Sequence, residues 1–132
     1  VLGEPNTLRW YSLLSKRDTI LAGNIGRSLH KILKTDDMSF VDKSADRWLI
    51  KKLDTKTKNI SNITTSLPGR EDLSWTPDGK IIMSDGEKLF YFHPGGLDVW
   101  TEVEGMSTLK LKGITRLSVN KKGDKIAIVA AE

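Results

Sequence analysis

The chain has no cysteine. That absence removes disulfides, thiolate metal sites and a cysteine nucleophile, and it leaves stability to packing alone. Histidine is scarce as well: His30 and His93 are the two present. They lie far apart, neither has a second ligand at metal spacing, and no metal site is expected. His93 precedes Pro94-Gly95-Gly96 and reads as a turn residue. No apolar run approaches the roughly 20 residues that a membrane-spanning helix needs. The stretch from Val1 to Trp10 lacks a basic start followed by an apolar segment, so no signal peptide is expected within it. A nucleophile elbow, a phosphate-binding loop, a dinucleotide glycine pattern and a zinc-protease motif are all missing. The reading is therefore of a chain that is not an enzyme and carries no cofactor.

Neither sign of charge dominates. Lysine and arginine total 21 against 17 acids, a formal charge of +4. Such mild basicity suits nucleic acid or an acidic membrane surface, but the bases are interleaved with acids, as in Lys51-Lys52-Leu53-Asp54 and Gly69-Arg70-Glu71-Asp72. A solvated, mixed-charge surface is the expectation, without nucleic acid as a partner. With 38% hydrophobic and 29% charged residues over 132 positions, the chain has the composition of one globular domain, 1–132.

What the chain does contain is repetition. Residues 73–83 (LSWTPDGKIIM) align without gaps on 117–127 (LSVNKKGDKIA), an offset of 44. Both read as strand, polar turn closed by glycine, and strand, the glycine supplying a positive φ. Stepping back another 44 reaches Leu29, which opens 29–33 (LHKIL) and leads to the apolar 38–41 (MSFV), with the turn glycine missing. Further strands are expected at 8–13, 47–53 and 88–92, with weaker outer strands at 19–22, 59–63 and 99–103. A period of about 40 to 45 residues with four strands is that of a β-propeller blade; no segment sustains the apolar spacing of paired helices. The expected class is all-β, with four-stranded antiparallel blades. From centre to rim, 8–22 supplies a half blade, 29–63 and 73–103 whole blades, and 114–130 a half blade. That makes about three blade equivalents, fewer than the usual four to eight. Two arrangements follow: the C-terminal portion of a longer propeller, or a homodimer whose two copies complete a six-bladed ring.

The run 75–80 (WTPDGK) resembles the W-S-P-D-G-K signature of the TolB-type propeller repeat, also called the WD40-like bacterial repeat. The copy at 120–123 keeps the glycine but lacks the tryptophan, proline and aspartate. The resemblance implies a noncatalytic binding or scaffold module for a peptide, protein or cell-envelope partner, in a periplasmic or secreted setting. It also implies an alternative, the propeller accessory domain of a prolyl-oligopeptidase-like hydrolase whose catalytic domain lies elsewhere.

Propellers bind ligands at the mouth of the central channel, where the innermost strands begin. His30 belongs to such a strand, and the same entrance is expected to gather Arg27, Arg70, Glu71, Asp72 and Arg116. Mixed charges of this kind suit a peptide or protein. The plainer expectation for His30 is a packed histidine whose ring nitrogens are hydrogen-bonded. The acid pairs Asp36-Asp37 and Glu71-Asp72 make poor catalytic units if each lies on a strand, because neighbours then point to opposite faces. Asp78 and Asp124 have sufficient roles in turns. Trp10, Trp48, Trp75 and Trp100 recur about once per blade and are expected to cement neighbouring blades.

Overall fold

The computed structural model describes residues 5–132, so the first four positions of the expected domain lie outside the described residues. All regular structure among them is antiparallel strand, apart from a single 3-10 turn at Ser107–Leu109. Strands β1 (Asn6–Tyr11), β2 (Asp18–Ile25), β4 (Met38–Asp42), β5 (Leu49–Leu53) and β6 (Ile60–Thr65) follow one another in a first sheet, with the short β3 (His30–Lys31) beside β4. A second sheet runs β10 (Thr101–Glu102), β9 (Leu89–Phe92), β8 (Ile81–Ser84), β7 (Leu73–Trp75). Strands β11 (Lys112–Val119) and β12 (Ile126–Ala131) form a hairpin.

The first sheet differs from the expected division between a half blade ending at 22 and a blade starting at 29. The chain leaves β2 at Ile25 and rejoins strand at His30, but its link at 26–29 stays against β4. Asn24 takes a left-handed φ of 50°, Ile25 pairs with Asp42, and Gly26 donates to the Val41 carbonyl at 2.7 Å. Hydrogen bonding is thus continuous from β1 to β6.

The 44-residue period holds in the backbone. The amide of residue 35, 79 or 123 donates to the carbonyl of 32, 76 or 120 at 3.2, 3.0 and 3.0 Å, closing three equivalent turns. Gly79 and Gly123 take φ of +87° and +82°, as the turn chemistry requires. In the copy without glycine, Lys34 carries the positive φ instead, at 65°. The ungapped alignment needs one correction. Trp75 pairs with Ile81 but Val119 pairs with Ile126, so the third turn is one residue longer. Asn120 accommodates the extra residue, its Oδ1 accepting the amides of Gly123, Asp124 and Lys125 at 2.9 to 3.1 Å.

Packing between sheets makes the core. Phe40, Leu53, Leu8 and Ile25 bury together between the β1–β2 hairpin and the rest of the first sheet. Val41, Ile50, Leu73, Trp75, Ile81, Met83 and Phe92 bury together between the first and second sheets. Strand β4 sits between both clusters, which is why Ser39, Phe40 and Val41 are all buried in succession. The tryptophans serve these seams. Trp75 donates to Ser39 Oγ at 2.8 Å, and Trp100, 5.5 Å from Phe92, donates to the Thr65 carbonyl at 3.0 Å.

Candidate functional site

The strands β3, β7 and β11 lie side by side, one from each sheet, with β7 in contact with both others. The amide of Val119 donates to Ser74 Oγ at 3.0 Å across the β11–β7 seam. Arg27 stands ahead of β3, Arg70, Glu71 and Asp72 stand ahead of β7, and Arg116 lies within β11; ion pairs bring Arg27, Glu71, Asp72 and Arg116 together.

Five of the six residues expected at a channel entrance lie together in one cluster. Arg27 reaches Glu71 Oε1 through Nε at 3.3 Å and Asp72 Oδ2 through Nη2 at 3.3 Å. Arg116 Nη1 approaches the same Asp72 oxygen at 2.7 Å. Arg116 and Asp72 occupy equivalent positions of the repeat, 44 apart. Arg70 donates to the Asp85 carbonyl. Arg27, Arg70, Glu71 and Asp72 line a depression of about 270 Å³ floored by Ile114 and Leu117. A sixth member, Lys43, was not expected; it follows β4 and pairs with Glu71. Its repeat counterpart 44 residues on is Glu87, so no pattern marks it.

Glu71 and Asp72 precede β7 rather than lying within it. The opposite-faces expectation therefore does not apply to them, and one guanidinium, Arg27, holds both. The two carboxyls are nevertheless poised differently. Against the cost of its burial, Glu71 is held below the usual carboxylate range by Lys43 and Arg27. Asp72 is raised, chiefly by burial, with the Glu71 charge adding to it against the pull of Arg27. Four bases, Arg27, Lys43, Arg70 and Arg116, stand against Glu71 and Asp72, with Asp85 beside Arg70, so the cluster keeps a small positive excess. It can accept a carboxylate while offering carboxylates to a base, which is the chemistry of a polypeptide backbone terminus or a mixed-charge peptide.

His30 stands apart from the cluster, further along the inner strands. With Leu73, Trp75, Leu117 and Val119 it lines a separate space of about 250 Å³. Its Nδ1 is buried and has no hydrogen-bond partner, which departs from the expected satisfied ring. Burial holds the imidazole below its usual range, outweighing the Ser39 backbone and the Glu71 charge. The other acid pair is elsewhere. Asp36 and Asp37 occupy the β3–β4 turn, where the Asp36 carbonyl accepts from Thr55 Oγ1 at 2.9 Å. His93 lies in the turn after β9, its carbonyl accepting from Gly96 at 3.0 Å. Among the described residues no three His, Asp or Glu side chains gather as metal ligands would, and no helix is long and apolar enough to cross a membrane.

No family model matches the chain, and no curated protein matches it. Among solved structures it is similar to the crystal structure of TolB from Acinetobacter baumannii, with a TM-score of 0.66 and 14% sequence identity. The superposition covers 93% of this chain and 31% of that one, so the chain spans about a third of that structure's length. At this identity the likeness concerns the fold alone. The chain has an all-β, TolB-like fold built from antiparallel sheets.

Proposed function

We propose that this chain is a noncatalytic β-propeller binding module that takes a peptide or protein segment at a mouth formed by residues ahead of β3 and β7 and within β11. The observation that carries the reading is the convergence of Arg27, Glu71, Asp72 and Arg116 at that mouth from three different sheets. Each sheet acts as one blade in this reading, and the inner strands form a sector of a channel wall. The TolB-like fold supports a binding role, and a periplasmic or secreted setting with a cell-envelope partner belongs to the same proposal.

Phage-displayed peptide selection against the immobilised chain tests the proposal. Peptides enriched by the wild type are expected to lose binding to the Arg27→Ala and Arg116→Ala double variant and to keep it with Lys122→Ala, which is remote from the mouth. Selection that enriches nothing, or enriches peptides indifferent to the double change, would overturn it.

A further inference from the structure

The opposite end of the inner strands carries a second surface, made of turns. The β1–β2 tip, 12–17, and the β5–β6 turn, 54–59, close in the same way. Ser12 and Asp54 donate to the carbonyls of Arg17 and Asn59 at 2.9 Å, and Lys16 and Lys58 donate back to Ser12 and Asp54 at 2.8 Å. These turns are neighbours, since Lys58 Nζ lies 5.6 Å from the centre of the Trp10 ring, just before the tip. Thr55 ties the second turn to the β3–β4 turn through the Asp36 carbonyl.

The tip presents Leu13 and Leu14, 85% and 97% exposed, with serines on either side. Single exposed leucines are ordinary, but two adjacent ones at the apex of a hairpin are not. Lys16 and Arg17 follow them within the tip, and Lys56 and Lys58 belong to the neighbouring turn. The acid within these two turns, Asp54, is folded back onto the amides of Lys56 and Thr57. The adjoining turn brings Lys34 together with Asp36 and Asp37. Lys16, Lys34 and Lys58 all hold positive φ, at 58°, 65° and 65°, in positions where glycine or asparagine would be unstrained. Asp18, directly after the tip, is paired with Arg9, so the basic surplus around the apolar point rests on Lys16, Arg17, Lys56 and Lys58.

We propose that this turn face docks on a membrane surface containing anionic lipid, with Leu13 and Leu14 entering the headgroup layer and these bases meeting lipid phosphates. A convex apolar tip is shaped to enter a soft surface, and a basic rim complements an anionic one; neither feature alone specifies both. The proposal is independent of the mouth described above, which lies at the other end of β3.

Co-sedimentation of the 132-residue chain with vesicles tests it. One set is pure phosphatidylcholine and the other adds phosphatidylglycerol. The wild type is expected to sediment with the anionic set and hardly with the neutral one. Leu13→Ser with Leu14→Ser, and separately Lys16→Gln with Arg17→Gln, should each weaken binding roughly tenfold, from lost apolar and electrostatic terms. All these side chains are exposed, and melting curves should confirm intact folding. Failure to sediment with either set would overturn the proposal. So would binding that the leucine pair does not affect, or displacement of the chain from vesicles by duplex DNA, which would make the basic side chains a site for phosphate polymers.

Discussion

The indole N–H of Trp75 donates to the hydroxyl of Ser39 at 2.8 Å, both groups buried and 36 positions apart, and that hydroxyl in turn donates to the His30 carbonyl at 3.2 Å. One small side chain thereby joins the second sheet to the first. Ser39→Ala is expected to strand a buried N–H donor and cost about 1–3 kcal/mol. Trp75→Phe should also destabilise, but the double change should cost less than the sum of the two by about 1 kcal/mol. Urea unfolding of the four proteins measures it.

Gly79 and Gly123 share a backbone conformation but not a neighbourhood. A Cβ at Gly79 meets nothing within 4 Å, whereas one at Gly123 would come within 2.8 Å of Pro77 Cδ on the next turn. Alanine at either position should cost about 1–2 kcal/mol for its left-handed φ. Gly123→Ala should cost more, and Pro77→Ala should recover the excess in the Gly123 background but not in the Gly79 one. Thermal melting of the five variants tests this.

Burial lowers the pKa of His30. Its folded pKa lies below the unfolded value, so the unfolded chain takes up the proton first. The stability it contributes is full above the usual imidazole pKa of about 6.5 and drains as pH falls toward the lower folded value. His30→Gln should flatten the dependence of the urea midpoint on pH between about 8 and about 5. An unchanged slope would mean that the ring is protonated without penalty.

The adjacent acids at the mouth should behave oppositely on acidification. Glu71 is lowered in the folded state, so its contribution is present above its unfolded pKa and lost as pH falls through the folded one. Asp72 is raised, so the folded state binds its proton more tightly and gains relative stability as pH falls toward the unfolded value. Glu71→Gln should make acid destabilisation shallower and Asp72→Asn should make it steeper. Urea midpoints taken through the carboxylate range distinguish the two.

Hairpins were legible in the sequence because the residues that close them recur locally: glycine at 79 and 123, and strands that alternate with polar turns. The clustering of Arg27, Glu71, Asp72 and Arg116 was legible from the repeat, since Arg27 and Glu71 stand 44 residues apart, as do Asp72 and Arg116. The extra residue in the third turn was not, because Ile81 aligns on Lys125 as readily as on Ile126 until pairing is known. Lys43 was invisible because its role depends on a sheet-to-sheet approach that no local pattern encodes. The facing of Glu71 and Asp72 depended on where β7 begins, and a start two residues earlier would have sent them apart. The basic surplus on the turn face has no local signature, because segments distant in sequence supply it.

The seams between sheets have a mechanical consequence. Each hairpin closes upon itself, while the sheets are fastened through a few long-range ties such as Trp75–Ser39, Trp100–Thr65 and Val119–Ser74. A chain joined in this way distributes load unevenly when pulled from its ends. Tension should peel the β11–β12 hairpin away from β7 first, then part the second sheet from the first, with the continuous β1–β6 sheet yielding last. The force recorded during extension would then rise and fall in steps, each drop marking the release of one seam.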